Sequence, residues 1–320
     1  MSKPEIVVIA PLPSFFAKPL HERFTVHDLH GAKDRRAFID DVAPRVRAMV
    51  AFGGSQIKAE QLDNFPHLEI VAVFGVGYDG IPLAACEGKK IKVTNTPDVL
   101  NDEVADTTLA LTLMTVRQFA ETQKFVERGD WLKGQYPLTR SLWGKTVGII
   151  GLGRIGKAIA TRLEAFKTTV VYHGRSKQDV DYRFYPNLVE MARDVDILIA
   201  ITPGGSGTKH LVNAEVLAAL GPEGYFINVA RGSVCDEAAL VAAIENKTIA
   251  GAGLDVFEGE PKVPETLFNR PNVVLFPHVA SATLETRTAM GHLVIENLRL
   301  HFEGKPVKTL VPELMGKVAP

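Results

Sequence analysis

Short apolar runs alternate with amphipathic stretches along most of the chain. In its N-terminal part the runs are Ile6–Ala10, Thr25–Leu29, Ala48–Phe52, Ile70–Phe74 and Ile91–Asn95, separated by segments with helical spacing of apolar positions. Runs this short and this rich in β-branched residues suit strands buried on both faces, and the lengths between them suit right-handed crossovers. The pattern therefore predicts a parallel sheet covered by helices. From about Asn101 to Arg128 it changes to one long helix, with Asp102 and Glu103 in the first turn, where they favour the helix dipole. Val104, Thr107, Thr108, Leu111 and Thr115 fall at helical spacing, and the stretch Leu109–Met114 is apolar nearly all round, as in a helix wedged between domains. A connection carrying Trp131, Tyr136, Leu138, Leu142 and Trp143 follows; such a concentration marks an interface, the wall of a site, or simple packing. The alternation then resumes with Thr146–Ile150, Thr169–Tyr172, Asp196–Ile201, Tyr225–Val229, Ile249–Val256 and Asn272–Phe276, and a last helix, Leu284–Phe302, returns toward the first sheet. The architecture predicted is α/β, two doubly wound parallel-sheet domains, one of residues 1–98 and 288–320 and one of residues 99–287.

Composition narrows the function classes. A chain of 320 residues that is 46% hydrophobic buries a large core and usually divides in two. The net charge of −1 and the lack of a basic stripe argue against nucleic acid and anionic membrane surfaces as partners. Cys86 and Cys235 lie far apart and form no metal-ligand pattern, so no metal is expected and the cysteines read as reduced and structural. The run Glu5–Pro11 is too short for a signal h-region and no run reaches the length of a membrane span, which points to a soluble cytoplasmic protein.

The most informative stretch is Lys145–Lys177. The apolar strand Thr146–Ile150 runs directly into Gly151, Gly153 and Gly156, then a helix from Arg154 to Phe166 with Ile155, Ala158, Ile159 and Leu163 inward, then a second strand. In a strand-to-helix turn the first glycine permits the bend, the second lets backbone approach a pyrophosphate, and the third lets the helix pack on the strand. Gly151, Gly153, Arg154, Ile155 and Gly156 thus form a candidate dinucleotide turn at a helix N-terminus, the mark of a Rossmann domain. Where an NAD site would place an acid at the end of the second strand, this chain has His173-Gly174-Arg175-Ser176-Lys177. A guanidinium fork, a hydroxyl and a second cation there suit a 2′-phosphate, so the cofactor expected is NADP, with NADPH preferred over NADH.

Arg231, Glu260 and His278 are distant in sequence, yet each follows a separate strand of the second sheet, so they should converge at its carboxyl edge. A guanidinium holds a planar carboxylate, a histidine passes a proton near neutrality, and a carboxylate beside it stabilises the imidazolium. In the first domain, Gly75-Val76-Gly77-Tyr78-Asp79 follows the strand Ile70–Phe74; it is either a carboxylate-binding turn or an ordinary one.

With these stretches together the chain resembles the D-isomer-specific 2-hydroxyacid dehydrogenases over nearly its whole length. The likeness is carried by Val76–Asp79, Asn95–Pro97, Val104–Asp106, Val147–Gly156, Asn228–Gly232, Gly253–Phe257 and Pro277-His278. Trp143–Gly156, Gly251–Pro261 and Val263–Glu265 are most similar to the glyoxylate/hydroxypyruvate and hydroxyphenylpyruvate reductase branch. The resemblance implies a smaller flavodoxin-like substrate domain beside the Rossmann domain, and reduction of small 2-oxo acids such as glyoxylate, hydroxypyruvate or phenylpyruvate-type acids to D-2-hydroxy acids. It implies that Arg231 binds the substrate carboxylate and carbonyl, His278 donates the proton, and Glu260 pairs with the histidine. It further gives the backbone amides of Val76 and Gly77 to the carboxylate, Asp255 to the nicotinamide amide, and Thr208, Ala230 and His278 to the cofactor's surroundings. The chain departs from the family pattern at Gly204-Gly205-Ser206-Gly207, where a leucine, threonine, proline, glutamate run is usual.

The alternative is a dinucleotide-sensing interaction protein on the same fold, as the corepressor relatives are; they keep a similar triad, and fold alone does not separate the two. The absence of long disordered tails favours the enzyme. Glu260, where a formate dehydrogenase would carry glutamine, and a chain ending at Pro320 count against two other relatives. A homodimer is expected through the long helix and the aromatic connection.

Overall fold

The computed structural model describes residues 3–318. Its strands are β1 (Glu5–Val8), β2 (Thr25–Asp28), β3 (Val46–Phe52), β4 (Ile70–Phe74), β5 (Lys92–Thr94), β6 (Thr146–Ile150), β7 (Thr169–His173), β8 (Arg183–Tyr185), β9 (Ile197–Ala200), β10 (Tyr225–Asn228), β11 (Gly251–Leu254) and β12 (Val273–Leu275). Among the described residues they form two sheets in which every pairing is parallel, ordered β2-β1-β3-β4-β5 and β12-β11-β10-β9-β6-β7-β8. The chain divides into two compact units, Met1–Leu100 with Ala282–Pro320, and Asn101–Ser281.

The first unit has the flavodoxin-like strand order. All residues of β4 and β5 are buried, as expected of strands covered on both faces. One face packs Val7, Met49, Val71 and Val93 against Leu62, Phe65, Cys86 and Ile91. On the other side Phe16 stacks on Phe74 with ring centroids 5.2 Å apart, and helix Leu284–Phe302 packs over β4. That helix starts at Thr283, whose hydroxyl accepts from the Thr286 N–H.

The second unit is a Rossmann sheet: β6, β7 and β8 run outward in one direction, β9 to β12 in the other, and the order reverses between β6 and β9. Met191, Leu217, Phe226, Leu240 and Leu254 fill one face of it. Leu111, Ile149, Ile159, Leu163, Tyr172 and Ile227 fill the other. Each such side chain, fully buried, stabilises the fold by about 1.5–3 kcal/mol in transfer terms.

One expectation needs correction here, and one strand was not anticipated. The single helix Asn101–Arg128 is two helices, Asn101–Arg117 and Phe119–Glu127, broken at Gln118, whose backbone is left-handed at φ 53°. The Tyr136 hydroxyl donates to the Gln118 side chain at 2.8 Å, and the Gln118 carbonyl accepts the first amide bonds of the next helix. No Gly or Pro announces the break, because the contact that holds it comes from a distant tyrosine. Within Asn101–Arg117 the buried Thr108, Thr112 and Thr115 donate to carbonyls four residues back, which explains how hydroxyls sit on a buried helix face. The strand not anticipated is β8, which pairs Val171, Tyr172 and His173 of β7 with Arg183, Phe184 and Tyr185. A three-residue edge strand opening with arginine has no apolar run to reveal it.

Candidate active site

The turn after β6 is set by packing. Gly151 has φ +99°, a conformation L side chains rarely adopt, and its N–H donates to the His173 carbonyl at 2.9 Å. A Cβ on Gly156 would stand 2.2 Å from the Gly151 oxygen, so helix Arg154–Glu164 lies too close to the turn for any other residue. A Cβ on Gly153 would meet nothing within 4 Å, and Gly153 offers the helix no side-chain cap. The helix therefore begins with neither a side chain over Gly153 nor a cap, which leaves room at the positive end of its dipole, an arrangement that fits a pyrophosphate. The dinucleotide implied by the sequence is thus compatible with the backbone present.

The neighbouring turn, after β7, carries Arg175, Ser176 and Lys177, all exposed. Among the described residues their side chains make no hydrogen bond or ion pair. After β9, the turn Pro203–Thr208 closes on itself: Gly205 has φ +122°, the Thr208 N–H donates to the Gly205 carbonyl, and the Thr208 hydroxyl donates to the Pro203 carbonyl at 2.7 Å. The glycine-rich departure from the family pattern is what lets this turn curl.

At the ends of β10, β11 and β12 three polar residues are brought together. Asn228, buried, accepts from the Ala230 N–H at 3.1 Å and donates to the Arg231 carbonyl at 3.2 Å, fixing the chain as it leaves β10. Arg231 Nη1 donates to the Ala230 carbonyl at 2.9 Å. Gly232 lies against the Phe257–Glu258 peptide, where a Cβ would be 1.9 Å from the Phe257 carbonyl carbon. The loop after β11 then offers Glu260, whose Oε1 accepts from the Phe257 N–H at 3.0 Å and whose Oε2 lies 2.8 Å from His278 Nδ1. Asp255, at the end of β11 and 1% exposed, holds the other side of the histidine segment. Its carboxylate accepts from the Val279 and Ala280 N–H groups at 2.7 and 3.0 Å, and its carbonyl from the His278 N–H at 2.9 Å. His278 has φ +54°, maintained by these bonds.

The electrostatics follow from this geometry. Burial raises the Glu260 pKa, but the hydrogen bonds from His278 and the Phe257 amide, with the charges of His278 and Arg231, outweigh it and hold the carboxyl below its ordinary value. Glu260 is therefore a carboxylate at neutral pH. Burial raises Asp255 despite its two amide donors. With Nδ1–H donated to Glu260, the imidazolium's second proton sits on Nε2, which has no partner among the described residues. The arrangement can stabilise an imidazolium, with the Arg231 charge also acting on Glu260.

In the first unit, the Val76 carbonyl accepts from Asn95 Nδ2 at 2.9 Å and the Gly75 carbonyl from the Thr96 N–H at 2.8 Å. Because a peptide's C=O and N–H point oppositely, the Gly77 N–H is turned away from Asn95. Neither it nor the Val76 N–H has an acceptor among the described residues, which leaves both for an anion.

Sequence reasoning passed over Asn228, the His210–Glu258 pair at 2.8 Å and Gln178. An asparagine three residues ahead of a strand-end arginine was a usable signal for the first. Nothing local marked the other two, since their partners come from distant loops.

The model of the family described as D-isomer specific 2-hydroxyacid dehydrogenase, NAD binding domain, matches residues 109–280. The chain is 45% identical over 307 residues to a hydroxyphenylpyruvate reductase of Plectranthus scutellarioides, covering 96% of this chain and 98% of that protein. It is 43% identical over 307 residues, with the same coverage, to a glyoxylate/hydroxypyruvate reductase A of Arabidopsis thaliana. Among solved structures, that of an NADPH-dependent glyoxylate/hydroxypyruvate reductase from Sinorhizobium meliloti in complex with NADP and malonate is similar with a TM-score of 0.90, 46% identity and 98% coverage of both chains.

Proposed function

The chain belongs to the D-isomer specific 2-hydroxyacid dehydrogenase family of NAD(P)-dependent oxidoreductases, and from that premise we propose that it reduces small 2-oxo acids to D-2-hydroxy acids with NADPH. Glyoxylate and hydroxypyruvate are the first substrates to try, with phenylpyruvate-type acids next. The observation that carries the reading is the 2.8 Å contact between Glu260 and His278 beside Arg231, in the same unit as the glycine-rich turn. The likeness to named reductases supports catalysis over dinucleotide sensing.

The nicotinamide, when bound, supplies the hydride. Arg231 holds the substrate carboxylate and offsets the charge that develops on the carbonyl oxygen. His278 donates the Nε2 proton to that oxygen, and Glu260 holds the ring in orientation and stabilises the imidazolium before transfer. Overall one oxo acid, one hydride and one proton give one hydroxy acid. Asp255 fixes the backbone of the histidine segment, and we assign it, with Thr208 and Ala230, to the nicotinamide side of the site. The Asn101–Ser281 unit is the cofactor domain, with Gly151, Gly153, Arg154, Ile155 and Gly156 at the pyrophosphate, and the Val76 and Gly77 amides are assigned to the substrate carboxylate. A panel of glyoxylate, hydroxypyruvate, phenylpyruvate and acetaldehyde tests this. The acids should turn over and acetaldehyde, lacking the carboxylate, should not.

NADPH preference rests on Arg175, Ser176 and Lys177, which offer two unneutralised cations and a hydroxyl where an acid would repel a 2′-phosphate. A homodimer is part of the reading. Leu142 is buried and Tyr136 packs edge-on against Phe125, but Trp131 and Trp143 are 66% and 67% exposed and Leu132 and Leu138 more so. Packing within the chain therefore does not account for this segment, and a second copy would. An obligate interface buries on the order of 2,000 Å² or more, and light scattering at micromolar concentration should give twice the chain mass. No helix among the described residues is long and apolar enough to cross a membrane, and both cysteines are free and buried, which fits a cytoplasmic setting.

A further inference from the structure

The loop that bears Arg175, Ser176 and Lys177 has three unpartnered side chains on a backbone pinned at both ends. At its start, the His173 carbonyl accepts from the Gly151 N–H at 2.9 Å and His173 Nδ1 lies 2.9 Å from the Tyr185 carbonyl of β8. At its end stands Gln178. The Gln178 N–H donates to the Tyr172 hydroxyl at 2.7 Å, and Gln178 Nε2 donates to the Leu152 carbonyl at 2.8 Å. Tyr172 is fully buried in β7 with its ring against Phe184, so its hydroxyl is a fixed anchor. Leu152 is buried between Gly151 and Gly153, in the middle of the glycine-rich turn. A carbonyl acceptor settles which end of the Gln178 amide faces it, since only the NH₂ group donates.

We propose that Gln178 is a positioning residue that ties the loop of Arg175, Ser176 and Lys177 to the glycine-rich turn and thereby raises the affinity for a 2′-phosphorylated dinucleotide; this rests on the NADPH reading above. Gln178 is held by Leu152 and Tyr172 rather than presented to a ligand, so its effect passes through the loop. With the loop tied, binding a 2′-phosphate orders side chains only; with it loose, the backbone of Gly174 to Lys177 must be ordered as well, and that loss opposes binding. NADH has no phosphate to engage those side chains, so it gains nothing from a fixed loop.

The test is calorimetric titration with NADPH, NADH and 2′-AMP. Gln178→Met keeps the side chain's length and removes its donor; Tyr172→Phe removes the second anchor while keeping the buried ring. Losing one neutral hydrogen bond of this kind corresponds to about a fivefold change in affinity. Each variant should weaken NADPH and 2′-AMP by about that factor and leave NADH unchanged. In an Arg175→Ala background the further loss should vanish, because the fixed loop then has no guanidinium to present. Equal weakening of NADPH and NADH would mark a merely structural role and overturn the proposal, as would unchanged NADPH affinity in both variants. If the unmodified protein prefers NADPH and Arg175→Ala abolishes that preference while both anchor variants keep it, the NADPH reading stands and the proposal alone fails. If the unmodified protein binds both cofactors equally, the NADPH reading fails and takes the proposal with it.

Discussion

Two groups of polar residues lie beyond strand ends of the seven-stranded sheet, and they are built in opposite ways. Beyond β10, β11 and β12, the segment of Arg231, Glu260 and His278 is tied down by Asn228, Asp255 and the Phe257 amide, and two of its side chains hydrogen-bond each other. Beyond β7, Arg175, Ser176 and Lys177 reach solvent with no protein partner among the described residues. The contrast matches the roles proposed for the two groups. Proton donation during hydride transfer needs atoms already in place, because reorganisation at that moment would add to the barrier. Choosing between two dinucleotides needs only charge of the right sign near the ribose, and long side chains can close on a phosphate after it arrives. Substitutions in the first group should therefore act on turnover, and those in the second on one cofactor's KM.

The largest effect is expected at His278. His278→Ala removes the proposed proton donor and should lower kcat by roughly two orders of magnitude or more, measured as NADPH consumption with a saturating 2-oxo acid. Arg175→Ala should raise KM for NADPH by roughly one to two decades, the range for a charge-assisted contact, with little change for NADH. Glu260→Gln leaves the ring without a counter-charge. It should lower kcat by about tenfold, since a neutral amide can still orient the ring but does not offset the charge on it. An unchanged kcat in Glu260→Gln would remove Glu260 from the proposed mechanism.

The smallest effect is on stability, and it separates the two groups again. Partners hold the folded-state pKa of Glu260 below its ordinary 4.5, so its contribution to folding is complete above that value and is lost as pH falls through the lower folded value. Glu260→Gln should flatten the acid side of a plot of Tm against pH. Arg175→Ala, which breaks no contact within the chain, should leave Tm unmoved at every pH. A fall in Tm for Arg175→Ala would mean that its side chain has a structural partner after all.

The legible parts of the molecule are those specified locally or by strand order. Thr146 to Tyr172 could be read because strand, glycines, helix and strand follow one another without interruption, and Gly156 answers to a contact with Gly151 made within that stretch. The convergence of Arg231, Glu260 and His278 followed from a parallel sheet placing successive strand ends on one edge. What stayed hidden depends on approach between segments far apart in the chain. Gln118 breaks a helix because Tyr136 reaches it, and β8 exists because β7 offers an edge to pair with. The Gln178 contact with Leu152 and the His210 contact with Glu258 depend likewise on loop shapes that no periodicity encodes. The Gly204–Gly207 run was visible as a departure, but its outcome, a turn closed by Thr208 on Pro203, was not.

On the proposed reading, chemistry and cofactor choice are separate devices at the edge of one sheet. The ratio of kcat/KM for NADPH to that for NADH, with a fixed 2-oxo acid in the unmodified enzyme, His278→Ala and Arg175→Ala, tests it most directly. The ratio should be well above one and unchanged in His278→Ala, where both values fall together, and should drop toward one in Arg175→Ala. A ratio of one in the unmodified enzyme, or a ratio that moves as much in His278→Ala as in Arg175→Ala, would contradict it.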